Sequence, residues 1–208
     1  TTGADKMPAT ILSRVQRFDF KKFSVGQIVE KLERIAKKEK ASADEDALRM
    51  IAYSAEGGLR DAESLFAQVL ARADGKVTEK TVREILGIAG PKQLIDFVDI
   101  MADKKLSQAI SYLNDFHNIG GSAEEFLKSL VNYLRKLMLV KIDPALRPFV
   151  APELTDDQFS VMIAQSKRFE QADLSAILTA LMEAQDNLKK TSQPLLPIEL
   201  ALMKSFTS

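Results

Sequence analysis

The chain has 208 residues, 46% hydrophobic and 28% charged, the balance of a folded protein with length for one large domain or two small ones. Lysine plus arginine equals aspartate plus glutamate at 29 each, so no overall field draws the molecule onto nucleic acid or an anionic membrane, and any such contact must be local. The absence of cysteine excludes a disulfide framework and a thiolate-held zinc and fits an intracellular protein, while the absence of tryptophan and only 7% aromatic residues argue against a base-stacking platform. No apolar run approaches membrane-spanning length, and Thr1 to Lys6 lacks the apolar centre of a signal peptide.

Residues 1–23 differ from the rest. Ala9-Thr10-Ile11-Leu12 follows Pro8 as a short apolar, β-branched run, and Gln16-Arg17-Phe18-Asp19-Phe20 alternates polar and aromatic side chains, the period-two mark of a half-buried strand. Two short strands do not hold a sheet alone, so this segment reads as a remnant that completes a larger α/β core.

From Ser24 the pattern is helical. Ser24 is the N-cap of a helix with Ile28, Leu32 and Ile35 on one face and charged residues on the other. Asp44 caps a second helix with Ala47, Leu48, Ile51 and Ala52 inward, and Gly57-Gly58 supplies a left-handed stop. A third helix starts near Leu59 and carries Ala62, Leu65, Phe66, Val69 and Leu70. Thr78 caps a short fourth with Val82, Ile85 and Leu86, closed by Gly87. Gly90-Pro91 marks a boundary, since proline suits a helix's first turn. Beyond it the periodicity predicts helices over 91–102, 105–117, 122–142, 155–168, 172–190 and 194–206, with Ser122 a cap and Thr155-Asp156-Asp157-Gln158 a capping box. The last two helices are so rich in Ala, Leu, Ile and Met that their faces serve internal packing, subunit contact, or both.

Two short motifs carry chemistry: Ser13-Arg14 near the start, and Glu56-Gly57-Gly58-Leu59-Arg60-Asp61-Ala62 at a helix start. Arginine offers planar, permanently charged donors suited to phosphate. No G-x-x-x-x-G-K-[ST] loop occurs, so nothing in the chain cradles phosphates, and the pattern reads as the back half of a nucleotide-driven machine whose front half lies upstream. Taken alone, Arg14 is equally a surface arginine facing a carboxylate, and Arg60 an ordinary first-turn ion-pair partner of Asp61. His117 reads as a helix C-terminal cap before Gly120-Gly121, Asp44-Glu45-Asp46 as a helix-start cluster rather than a metal motif, and Lys21-Lys22 and Lys37-Lys38-Glu39-Lys40 as solvated faces.

The segment Thr10-Ile11-Leu12-Ser13-Arg14-Val15-Gln16-Arg17-Phe18-Asp19-Phe20 closely resembles the surroundings of the Ser-Arg-Cys motif of bacterial clamp-loader subunits, those of the gamma/tau type of DNA polymerase III in particular. Gly58-Leu59-Arg60-Asp61-Ala62 is similar to the sensor-2 motif of the same family, at the right distance downstream. Thr1-Thr2 resembles the end of its sensor-1 strand, and Pro197-Ile198-Glu199-Leu200-Ala201-Leu202 its last collar helix. The resemblance runs over essentially the whole chain, and its specific motifs fall before Leu65. Val15 stands where the family has cysteine, a small buried residue whose packing valine preserves.

The resemblance implies roles. Arg14, with Ser13, would be an arginine finger reaching ATP on the neighbouring subunit. Arg60, with Gly58 before it, would be the sensor-2 contact to the γ-phosphate of its own subunit's ATP. It also implies no cofactor in this chain itself, with ATP and Mg bound by the full-length subunit and a zinc site upstream, so the chain alone is expected not to turn over ATP. The implied partners are gamma/tau copies, delta and delta-prime through the collar, and the sliding clamp and primed DNA through the whole assembly, in a cytoplasmic, nucleoid-associated replisome and not at a membrane.

The expected fold is all-α, with a β remnant of an AAA+ core over 1–23, an AAA+ lid bundle over 24–90 and a helical collar over 91–208. Three other readings use the same residues: a delta-prime subunit, the lid of another AAA+ enzyme such as a branch-migration motor, or a purely structural helical scaffold. An intact Leu59-Arg60-Asp61 argues against the first, because a subunit without hydrolysis has less need of sensor 2. The absence of a hairpin signal after Gly90 argues against the second, which should carry a winged helix there.

Overall fold

Capping side chains set where the helices begin. Ser24 opens α1 (Val25–Lys38) through a capping box: its hydroxyl accepts from Gln27 N at 3.3 Å, and Gln27 Oε1 accepts from Ser24 N at 2.9 Å. The computed structural model describes residues 8, 10, 14, 21–73, 75–152 and 154–206. The strands expected over 9–12 and 16–20 therefore lie outside the described residues, save Thr10, whose backbone is helical.

α1 buries Ile28, Val29, Leu32 and Ala36, with Ile35 half-buried at the edge. α2 (Glu45–Ser54) buries the four expected residues, Ala47, Leu48, Ile51 and Ala52. α3 (Leu59–Leu70) adds Ala62, Phe66 and Val69. α4 (Glu79–Leu86) adds Val82 and starts where Thr78 Oγ1 accepts from Thr81 N at 3.2 Å. Together with Val77 these side chains close one hydrophobic core.

Between these helices lies a pairing that the hydrophobic pattern does not announce. β1 (Ser42–Ala43) runs parallel to β2 (Lys76–Val77). Two residues are too few for a period-two signal, so only the return of the chain after α3 reveals them. The pairing also redirects Asp44. It occupies the N-cap position of α2, yet its carboxylate makes no cap bond and instead pairs with Lys76 Nζ at 2.6 Å.

Past Gly90, α5 (Pro91–Ala102), α6 (Leu106–Asn118) and α7 (Ala123–Ile142) begin a second core. A 3₁₀ turn (Pro144–Leu146) leads into the four-residue α8 (Arg147–Val150), followed by α9 (Asp156–Ser166), α10 (Gln171–Leu188) and α11 (Leu196–Phe206). α7 is the central strut. Its Phe126, Leu127, Leu130, Leu134 and Leu137 are fully buried, each burial worth roughly 1.5–3 kcal/mol. Phe126 meets Phe97 edge-on at 5.0 Å and Phe116 at 4.9 Å. The capping box at Thr155 is present as expected, with Gln158 N donating to Thr155 Oγ1 at 3.3 Å.

The turn before α9 was not legible in the sequence, because Pro144 and Pro148 interrupt the period. Arg147 organises it: Nη2 donates to Leu154 O at 2.8 Å, Nη1 pairs with Asp156 Oδ1 at 2.7 Å, and the guanidinium lies 4.7 Å from the Phe159 ring centre.

The apolar faces of the last two helices split two ways. Ile177, Leu181, Ala184, Ile198 and Leu202 are buried, while Met182, Leu200 and Met203 stay exposed. Among the described residues no helix is long and apolar enough to cross a membrane.

Inside the second core one polar side chain joins three helices. Gln165 on α9 is 3% exposed, accepts from Tyr133 Oη at 2.5 Å, and donates to Ile95 O and Asp99 Oδ1 at 3.0 Å each. Arg168 pairs with Asp99 from outside. Burial, with the Asp99 charge added, pushes the Tyr133 phenol up to about 12, so it is a donor at all working pH values. Gln165→Leu should leave that donor and the Ile95 carbonyl without their partner and cost roughly 2–3 kcal/mol in urea unfolding, whereas Tyr133→Phe should cost about 1 kcal/mol. Equal stability of Gln165→Leu and the parent chain would show that the network carries no weight.

Candidate functional site

The segment linking α2 to α3 carries the second arginine motif. Ala55 ends α2, and Glu56 and Gly57 then take positive φ values of 50° and 86°. The left-handed stop thus begins one residue before the expected Gly57-Gly58 pair. Gly58 returns to extended backbone, φ −85°, as the N-cap of α3, and Arg60 is the second residue of that helix.

What comes close to Gly57 is the chain itself. A Cβ there would lie 2.7 Å from Lys22 Cβ and 3.1 Å from Phe23 O, and Phe23 N donates to Gly57 O at 3.1 Å. The glycine makes room for the incoming 21–24 segment. At Gly58 a Cβ would lie 2.5 Å from Asp61 Oδ2, so the Asp61 carboxylate folds over the start of α3 and complements its dipole. Arg60 is exposed and makes no ion pair among the described residues, so the first-turn pairing with Asp61 is not formed. Arg14 is likewise exposed, in a turn, and Ser13 lies outside the described residues.

Beside this turn a cleft of about 710 Å³ separates the two cores, lined by Lys22, Gly57, Gly58 and Asp61 on one side and by Glu125, Lys128 and Lys189 on the other. Gly58 faces it; Arg60 and Arg14 are not among its lining residues. Lys128, on α7, crosses the divide: Nζ donates to Ser54 O at 2.8 Å and pairs with Glu56 Oε1 at 3.0 Å. That hydrogen bond, with the charge behind it, holds the Glu56 carboxyl below the usual carboxylate range. One turn earlier on α7, burial raises Glu125, with Lys128 opposing the shift.

A second junction is pure backbone. Ser122 N donates to Gly87 O at 3.0 Å, and Gly87 ends α4 in the left-handed region at φ 64°. Lys128 escaped the sequence reading because it looks like a solvated helix-surface charge, and nothing local signals its contact with Ser54 across 74 residues.

His117 and Glu45, also singled out in the sequence, have structural partners. His117 Nδ1 lies 3.1 Å from Gly121 O, fastening the end of α6 to the start of α7. Glu45 pairs with Arg49 at 2.5 Å along α2. Among the described residues no group of three or more His, Cys, Asp or Glu could hold a metal ion.

A family model described as the ATPase lid domain of the DNA polymerase III clamp loader subunit matches residues 27–75, and one described as DNA polymerase III subunits gamma and tau domain III matches residues 77–208. The chain belongs to the DNA polymerase III gamma and tau family. DNA polymerase III subunit tau of Bacillus subtilis is 28% identical over 98% of this chain and 36% of that protein. The Escherichia coli tau subunit is 34% identical over 70% of this chain and 23% of that protein, and the gamma/tau subunit of Mycoplasma genitalium is 37% identical over 62% and 22%. The chain therefore spans about a third or less of these gamma/tau relatives.

Among solved structures, the Bacillus subtilis DNA clamp loader delta protein superposes with a TM-score of 0.50 at 12% identity, covering 99% of this chain and 63% of that one. This likeness shows the fold alone. The sequence family, not the fold, is what separates this gamma/tau chain from other clamp-loader subunits. The two family matches meet at β2, whereas apolar packing keeps α4 with the first core through Val82.

Proposed function

We propose that this chain is the lid and collar of a clamp-loader ATPase subunit that uses ATP to load the sliding clamp onto primed DNA. The observation that carries the reading is Arg60: an exposed guanidinium on the first turn of α3 with no ion pair among the described residues, in a chain whose residues 27–75 match an ATPase lid model and 77–208 a gamma and tau domain III model.

The residues present fit one edge of a triphosphate site. Arg60 brings a charged, forked donor to the start of a helix, where anions are favoured, while the cradle of backbone N–H groups belongs to the upstream AAA+ core. ATP with Mg supplies the phosphoryl group and its charge when bound there. Arg60, with Gly58 setting the helix start, neutralises the γ-phosphate of its own subunit's nucleotide. Arg14, which follows Ser13 in the sequence, would supply its charge to the nucleotide of the next subunit.

The second core serves as the collar that joins other gamma/tau copies, delta and delta-prime, and the exposed Met182 and Leu200 offer apolar area for those contacts. Sliding clamp and primed DNA are engaged by the assembly as a whole, in the cytoplasm at the replisome.

The experiment is Arg60→Ala in the full-length subunit, assembled with its partners. Loss of a charge-assisted hydrogen bond of about 1.5–3 kcal/mol should raise the KM for ATP roughly 10- to 150-fold, with assembly by size exclusion unchanged. An unaltered ATP dependence would sink the sensor role and leave a helical scaffold as the better description.

A further inference from the structure

Lys128 belongs to the second core yet holds the turn from which Arg60 starts. Its side chain is 22% exposed, low for a lysine, and its ammonium is spent on Ser54 O at 2.8 Å and Glu56 Oε1 at 3.0 Å. These acceptors bracket Ala55, the end of α2. Glu56 is a non-glycine residue at φ 50°, a backbone state that persists only where its surroundings hold it. The carboxylate of that residue and the carbonyl two positions before it are the groups Lys128 grips.

The turn then closes through Gly58 N donating to Ala55 O at 2.8 Å and passes straight into α3, whose second residue is Arg60. The start of α7 is tied to the same unit by the Ser122–Gly87 backbone bond. The collar helix is thus anchored at its first turn and reaches back from its second.

The geometry points to Lys128 as a positioning residue for Arg60: through Ser54 and Glu56 the collar helix α7 sets the turn that aims the sensor arginine, so the seating of the collar is felt at the nucleotide. This rests on the nucleotide-contacting role of Arg60 proposed above. The simpler account is a staple that holds two cores together and has no bearing on Arg60. The two accounts differ in what happens when Arg60 is already gone.

The test uses the full-length subunit in the assembled loader, with Lys128→Met, Lys128→Arg and Glu56→Gln each made on the parent and on Arg60→Ala. Lys128→Met keeps the apolar stem and removes the charge. It should raise the KM for ATP roughly three- to tenfold with kcat at saturating ATP changed less than about twofold. Glu56→Gln should do the same in smaller measure, Lys128→Arg should recover most of the loss, and neither charge-removing variant should add anything on Arg60→Ala.

Equal losses on both backgrounds, or a lowered Tm with the KM unmoved, mean a staple and overturn the inference. If Arg60→Ala impairs ATP use while Lys128→Met and Glu56→Gln do not, this inference falls alone. If Arg60→Ala changes nothing, the sensor reading falls and takes this inference with it. Glu56→Gln alters an exposed side chain, so it carries the comparison should Lys128→Met fail to assemble.

Discussion

Arg14→Ala, made in the full-length subunit of an assembled loader, is expected to cut DNA-stimulated ATP turnover at the sites this subunit serves by roughly 10³–10⁵, the worth of an arginine supplied in trans during phosphoryl transfer. The expectation rests on the proposed finger role, and the exposure of Arg14 in a turn is what such a role needs. A guanidinium committed to an internal ion pair would not be available to a neighbour. Arg14→Lys should recover little, because a point charge does not reproduce a planar fork of donors. Steady-state ATPase with primed DNA, alongside size exclusion to verify assembly, checks both. Turnover equal to the parent's would return Arg14 to the status of a surface cation.

Gly87→Ala should be among the most damaging single changes in the helical body. The residue sits at φ 64°, and an added Cβ would lie 2.6 Å from Ser122 N and 2.8 Å from Gly120 O, both backbone atoms. Neither neighbour can rotate away, and moving them breaks the Ser122–Gly87 bond that joins the two cores. Strain plus displacement should cost about 2–4 kcal/mol and lower the Tm of the chain by on the order of 10 °C. Gly75→Ala is the matched comparison: φ is 91° there, but nothing lies within 4 Å of the added Cβ, so only the left-handed backbone cost of roughly 1–2 kcal/mol remains. Circular dichroism melts of both variants separate the two contributions, and equal Tm losses would mean that the junction yields freely.

Much of the fold was readable residue by residue. Ser24, Thr78, Ser122 and Thr155 each accept the expected capping bond, because a hydroxyl before a helix competes only with its own neighbours for those N–H groups. Ala47, Leu48, Ile51 and Ala52 turn inward as their spacing predicts. Asp44 shows the limit of this reasoning: the residue is at the cap position, and a lysine 32 positions later, brought near by the β1–β2 pairing, takes its carboxylate. Gln165 shows it again, since nothing around that residue in the chain foretells that Tyr133, Ile95 and Asp99 will surround it.

The candidate site divides in the same way. Arg60 at a helix start was legible from Gly58-Leu59-Arg60-Asp61, and the motif alone raised the question of phosphate. That Gly57 accommodates Lys22 and Phe23, and that Asp61 rather than an open pair of glycines covers the start of α3, needed coordinates.

Local chemistry in the chain therefore determined most of the helices, the caps at Ser24, Thr78, Ser122 and Thr155, and the motifs that carry the family resemblance, since each depends on residues within a few positions of one another. Only the tertiary structure decided that α7 touches the α2–α3 turn through Lys128 and that Gly87 abuts Ser122. Those contacts join segments far apart along the chain, and their free energy exists only once both cores have packed.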